Sequence, residues 1–140
     1  MLTNTRVIRV QWGDCDPAGI VFYPRYFEWF DAGTILLFEK ATGLTKIKML
    51  AKYAGAGLAL VEAGARFRVP SQYGDDIEIE SSVTEFGRSS FSTLHRVRKG
   101  GLPALEGFEK RVWTARTPDD PSRLRSAPIP AEVLDAFRSG

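Results

Sequence analysis

Apolar and polar side chains alternate along several stretches of this chain and crowd together in one of helical length. Residues 5–12 alternate with Val7, Ile8, Val10 and Trp12 among polar neighbours, which predicts a first strand. Residues 25–42 have helical composition. Pro24 suits the first helical position, where its missing N–H costs nothing, and Gly43 supplies a stop. Tyr26, Phe27, Trp29, Phe30, Ala32 and the run Ile35 to Phe38 cover nearly the whole circumference of that helix. A helix apolar on most sides is expected to be buried on most sides, and in a small domain a curved sheet wrapped around it would do this. A shorter helix is predicted at 46–52. Alternation then returns at 58–69, 76–86, 90–98 and 105–117, with turn clusters at 70–75, 87–88 and 99–103. Short connections between long strands imply antiparallel hairpins. The expected fold is α+β: one domain over 1–140, with five antiparallel strands around a long central helix. Residues 117–130 read as an irregular excursion before a last short helix at 131–137.

Composition narrows the function classes. The chain has 140 residues, 44% hydrophobic and 26% charged, which is a globular composition for one domain. No apolar run approaches the roughly 20 residues that span a bilayer. The first ten residues lack the apolar stretch of a secretory signal, so a cytoplasmic protein without a membrane partner is expected. A single Cys15 and a single His95 exclude an internal disulfide and a Cys/His zinc cluster. Charge is unevenly placed: residues 88–125 hold nine basic and four acidic side chains. That half suits an anionic ligand such as a phosphate, or is simply a set of solvated strand faces. No nucleic-acid-binding motif accompanies it.

Few residues are candidates for chemistry. A Ser-His-Asp hydrolase would need His95, which lies mid-strand and reads as a positioned surface or sheet histidine. No nucleophile elbow, phosphate loop or dinucleotide fingerprint occurs. Cys15 has no histidine near it in sequence and reads as a bystander. The segment GDCDPAGIVFYP, residues 13–24, is different, because it places Asp14 and Asp16 in a loop leading into a helix N-terminus. A carboxylate beside unpaired helical N–H groups supplies a nucleophile or base together with a carbonyl-polarising hole, the two parts of acyl transfer. Equally, both aspartates are ordinary turn formers and caps.

That segment, followed by an aromatic-rich helix, resembles the 4-hydroxybenzoyl-CoA thioesterase family among the hotdog-fold acyl-CoA thioesterases. Gly74-Asp75-Asp76, Ser90-Phe91 and Arg123-Leu124-Arg125 extend the likeness along most of the chain. The resemblance implies a hotdog fold and hydrolysis of an aromatic acyl-CoA, with 4-hydroxybenzoyl-CoA the first candidate. It implies Asp16 as catalytic carboxylate and Tyr23 as the residue whose backbone N–H polarises the thioester carbonyl. Asp14 has no comparable role and remains a turn or hydrogen-bonding residue. Arg88, Ser89, Ser90 and Arg125 fall where the family holds the CoA nucleotide, although Gly87-Arg88-Ser89-Ser90 is less basic than the family's run. No cofactor and no metal are implied. A homodimer, or a tetramer built from two dimers, is expected, with the site at the subunit interface. The alternatives are a thioesterase for aliphatic acyl-CoAs and a non-catalytic acyl-CoA-binding protein of the same fold.

Overall fold

A computed structural model describes residues 2–139, so the terminal residues of the expected 1–140 domain lie outside the described part. The elements are β1 (Thr3–Arg9), a single 3-10 turn (Trp12–Asp14), α1 (Pro24–Thr42), α2 (Lys46–Lys52), β2 (Gly57–Phe67), β3 (Asp76–Phe86), β4 (Ser90–Lys99), β5 (Leu102–Arg116), β6 (Leu124–Ser126) and α3 (Ala131–Arg138). The strands form one antiparallel sheet in the order β1-β3-β4-β5-β2, with β6 added to β5. The α+β expectation holds, with one addition. Three residues of the stretch expected to be irregular form a sixth strand, because Arg116 to Thr114 run past the end of β4 and β6 pairs with them. Among the described residues, no helix is long and apolar enough to cross a membrane.

Helix α1 lies against the sheet at two close approaches. A Cβ on Gly33 would stand 2.6 Å from Ser81 Oγ, and one on Gly107 would stand 2.2 Å from the Phe30 ring. Each contact requires glycine. The helix ends with Gly43 in the left-handed conformation (φ +71°), as expected of a C-terminal stop. One expectation needs correcting. Tyr26, Phe30, Gly33, Thr34, Leu37 and Phe38 are buried, but Phe27, Trp29, Ile35 and Leu36 are only half-buried. The sheet of a single chain covers one side of α1, and the apolar residues on its flanks are left partly open.

The interior is in three zones along α1. Val21, Tyr26, Phe30, Ile77, Ile79, Val97 and Leu105 pack around its first half. Leu37, Phe38, Phe91, Trp113, Val133 and Phe137 pack around its second half, under α3. Between them, the inward positions of three strands turn polar in step. Ser81 follows Ile79 on β3, Thr93 and His95 lie between Phe91 and Val97 on β4, and Glu109 and Arg111 lie between Leu105 and Trp113 on β5. With Thr34 from α1, they make a buried polar belt.

Candidate active site

The loop before α1 folds back on itself as a small antiparallel ladder. Cys15 bridges Val21, the Asp16 N–H donates to the Ile20 carbonyl (2.9 Å), and the Phe22 N–H donates to the Asp14 carbonyl (2.8 Å). Asp14 accepts the Gln11 N–H at 2.8 Å, the hydrogen-bonding role expected of it. The loop is fastened to the start of β3 by Val21 N–H to Ser71 O and Val10 N–H to Asp75 O. Asp16 is half-buried. Its Oδ1 accepts the Ala18 N–H at 2.8 Å, while Oδ2 accepts no hydrogen bond from the described residues. A carboxylate held by one oxygen and open at the other is placed to attack or to take a proton.

Tyr23 stands at the start of α1, on the arm opposite the one that carries Asp16. The early N–H groups of the helix are nearly all used. Arg25 N–H donates to Phe22 O, Tyr26 N–H donates to Tyr23 O, and Pro24 has none. The Tyr23 N–H donates to no acceptor among the described residues, at the positive end of a 19-residue helix. Space for a ligand lies on both sides of this loop. A groove of about 280 Å³ is lined by Trp12, Cys15, Asp16 and Tyr73, and a cavity of about 240 Å³ by Ile20, Val21, Tyr23, Tyr26 and Phe67. Among the aromatics that follow the loop, Tyr26 and Phe30 are core, Trp29 is half-buried and Phe22 is exposed.

Arg88, Ser89, Ser90 and Arg125 are brought together, but elsewhere. Ile129 N–H donates to Arg88 O, Trp113 N–H donates to Ser89 O, Ser90 pairs with Val112, and Arg125 pairs with Ala115. Both arginines are exposed. This cluster lies at the Phe86 end of β3, whereas the Asp16 loop lies at its Asp76 end. Eleven residues of strand separate the two, about 30 Å at the usual rise. One chain does not join its aspartate to its own arginines.

The polar belt went unforeseen in the sequence. His95, expected at a surface or within the sheet, is fully buried and stacked on Phe30 (centroids 4.8 Å, planes 8° apart). Its Nε2 lies 3.1 Å from Glu109 Oε1 and its Nδ1 lies 2.7 Å from Ser81 Oγ. An ionised carboxylate only accepts, so Nε2 carries the hydrogen that points to Glu109. Thr34 (2.5 Å) and Thr93 (3.1 Å) also donate to Glu109 Oε1. Arg111 grips Glu109 through Nε (3.3 Å) and an amino nitrogen (2.7 Å), and donates to Asp31 Oδ1 (2.7 Å) and the Leu58 carbonyl (3.0 Å). Burial alone would raise the Glu109 pKa. The hydrogen bonds from His95, Arg111 and Thr34 outweigh it and hold the carboxyl down at about 2. The legible signal was Glu109 and Arg111 on the same face of β5 as Leu105 and Trp113, which the period of two dictates. Among the described residues, no group of three or more His, Cys, Asp or Glu side chains is placed to hold a metal ion.

Comparison with known proteins follows the same outline. A model of the thioesterase-like superfamily matches residues 10–137. The chain is 35% identical over 133 residues to a 4-hydroxybenzoyl-CoA thioesterase of Pseudomonas sp. (strain CBS-3), covering 91% of this chain and 92% of that one. Among solved structures, a 4-hydroxybenzoyl-CoA thioesterase mutant complexed with 4-hydroxybenzoyl-CoA superposes with a TM-score of 0.87 at 31% identity, covering 96% of this chain and 98% of the other. A gentisyl-coenzyme A thioesterase superposes with a TM-score of 0.79 at 32% identity, covering 96% and 99%.

Proposed function

Because this chain belongs to the thioesterase-like superfamily, and is a thioester hydrolase of hotdog fold, we propose that it hydrolyses an aromatic acyl-CoA, with 4-hydroxybenzoyl-CoA first, to the carboxylic acid and CoA. The observation that carries this reading is the unpaired Tyr23 N–H at the head of α1, at the end of the same loop that holds Asp16 with one oxygen open. The thioester oxygen accepts the Tyr23 N–H, and the helix dipole stabilises the oxyanion as it forms. An ordinary aspartate is ionised at neutral pH. In one route Asp16 attacks the carbonyl carbon, the C–S bond breaks, the CoA thiolate leaves and takes a proton from solvent, and water hydrolyses the mixed anhydride. In the other, Asp16 takes a proton from the attacking water. The test is a hydrolysis screen over benzoyl, hydroxybenzoyl, phenylacetyl and aliphatic CoA thioesters. Turnover of the hydroxybenzoyl ester above the aliphatic ones is expected, and a preference for aliphatic esters overturns the substrate assignment.

The CoA nucleotide is assigned to Arg88, Ser89, Ser90 and Arg125. Since these stand far from Asp16 in one chain, the complete site takes them from another copy. Strand β2 supports such pairing, because it is an 11-residue edge strand with Leu60, Val61 and Phe67 exposed, and an open apolar edge seeks a partner. We assign a symmetric dimer through this edge, or a tetramer built from two dimers. Arg88→Ala and Arg125→Ala should each raise KM about two- to fivefold and leave kcat nearly unchanged, the range of an exposed ion pair. Mixing Asp16→Asn chains with Arg88→Ala/Arg125→Ala chains should restore low-KM turnover, because half of the mixed sites hold a wild-type aspartate and wild-type arginines. No restoration on mixing overturns the shared site.

A further inference from the structure

The buried belt is unusual for a domain of this size, because it takes Glu109 and Arg111 out of water where apolar residues of equal volume would pack at least as well. Its bonds tie the sheet to the middle of α1, through Thr34 and Asp31. Arg111 uses its planar fork on three elements at once: Glu109 on its own strand, the Leu58 carbonyl on β2, and Asp31 on α1. A groove of about 380 Å³, lined by Pro24, Phe27, Leu60, Ala63 and Arg111, opens between α1 and β2. Gly33 and Phe30 fix the helix where it meets the sheet, and on this open flank the Arg111–Asp31 contact ties it to β5. A helix moves as a rod, so the direction of the Tyr23 N–H follows the placement of Asp31, eight residues along the chain.

We infer that Arg111 is a positioning residue of the thioesterase reaction. Its guanidinium, clamped by Glu109 and the Leu58 carbonyl, holds α1 through Asp31 so that the Tyr23 N–H points at the developing oxyanion. This inference rests on the role given to Tyr23 above. Misplacing a reacting group by about 1 Å costs on the order of a hundredfold in rate. Lysine keeps the charge but has no planar fork, so it cannot hold all three partners.

The experiment compares Arg111→Lys with Arg98→Lys, a control on a partly exposed ion pair with Glu78. Arg111→Lys should fold, lower kcat tenfold or more, and leave KM for the CoA ester within about threefold. The loss should be equal on a truncated pantetheine ester, because the carbonyl and not the nucleotide is affected. In ¹⁵N-labelled protein the Tyr23 amide resonance should shift in Arg111→Lys and stay in place in Arg98→Lys. Thr34→Val, which removes the hydroxyl that bonds Glu109, Thr93 and His95 and removes no charge, should fold and move the same amide less. Should Arg111→Lys not fold, an unmoved Tyr23 amide in Thr34→Val overturns the inference. A folded Arg111→Lys enzyme with kcat within twofold of wild type, or with an unshifted Tyr23 amide, also overturns it. If the wild-type chain turns over none of the thioesters, the functional reading fails, while the amide shift still decides whether Arg111 sets the helix.

Discussion

Asp16→Asn is expected to lower kcat by at least 10²–10⁴-fold while CoA affinity and assembly survive. Asparagine keeps the size of the side chain, and its amide oxygen can still accept the Ala18 N–H, so the loop ladder from Cys15 to Val21 stays closed. What is lost is the charge and the open oxygen. If Asp16 did no more than cap its turn, the change would cost about a kcal/mol of stability or less and leave kcat nearly intact. Turnover near wild type on every acyl-CoA of the screen therefore removes Asp16 from the mechanism. Single turnover in ¹⁸O water with excess enzyme separates the two routes. Label recovered in the Asp16 carboxylate shows that this residue formed the anhydride and that water attacked it there. A base leaves Asp16 unlabelled and sends the label into the product acid.

Glu109→Ala is expected to be the most damaging single change to stability, about 3–5 kcal/mol, because it leaves the Arg111 charge buried without its partner and His95 without an acceptor. For a domain of this length that is a fall in melting temperature of about 10 °C or more. Lys110→Ala, one residue along on the exposed face of β5, should change stability by no more than about 0.5 kcal/mol. Differential scanning calorimetry decides between them. Equal small shifts would show that the belt contributes little. The same carboxyl makes stability fall in acid. Its pKa is about 2 in the folded chain against an ordinary 4.5, so its contribution is complete above pH 4.5 and is lost as pH falls from there towards 2. A melting temperature in Glu109→Gln that falls less over this window than the wild type's is the expected signature.

Much of this was visible in the sequence because it depends on local chemistry. The span of α1 follows from Pro24, which accepts a helix start, and Gly43, which supplies the left-handed stop. The alternation of Ile77, Ile79 and Val83, and of Phe91 and Val97, placed β3 and β4 within a residue of their observed ends. The Asp16 loop was marked by its own Gly, Pro and Asp residues. Three things were decided only by the tertiary structure, each depending on which strands become neighbours. Strand β6 has no apolar pattern of its own and exists because β5 runs on past β4. Arg88 and Arg125 share a basic stretch with no sign of distance from Asp16, yet the full length of β3 lies between them. Ser81, His95, Glu109 and Arg111 look like scattered polar residues until antiparallel register sets Ser81 beside His95 and His95 beside Gly107, under Gly33 and Thr34 of the helix. Alternation along a strand shows which face a residue takes. Only pairing between strands shows whether a polar residue on the inner face will find a partner there, and burial is tolerable only when it does.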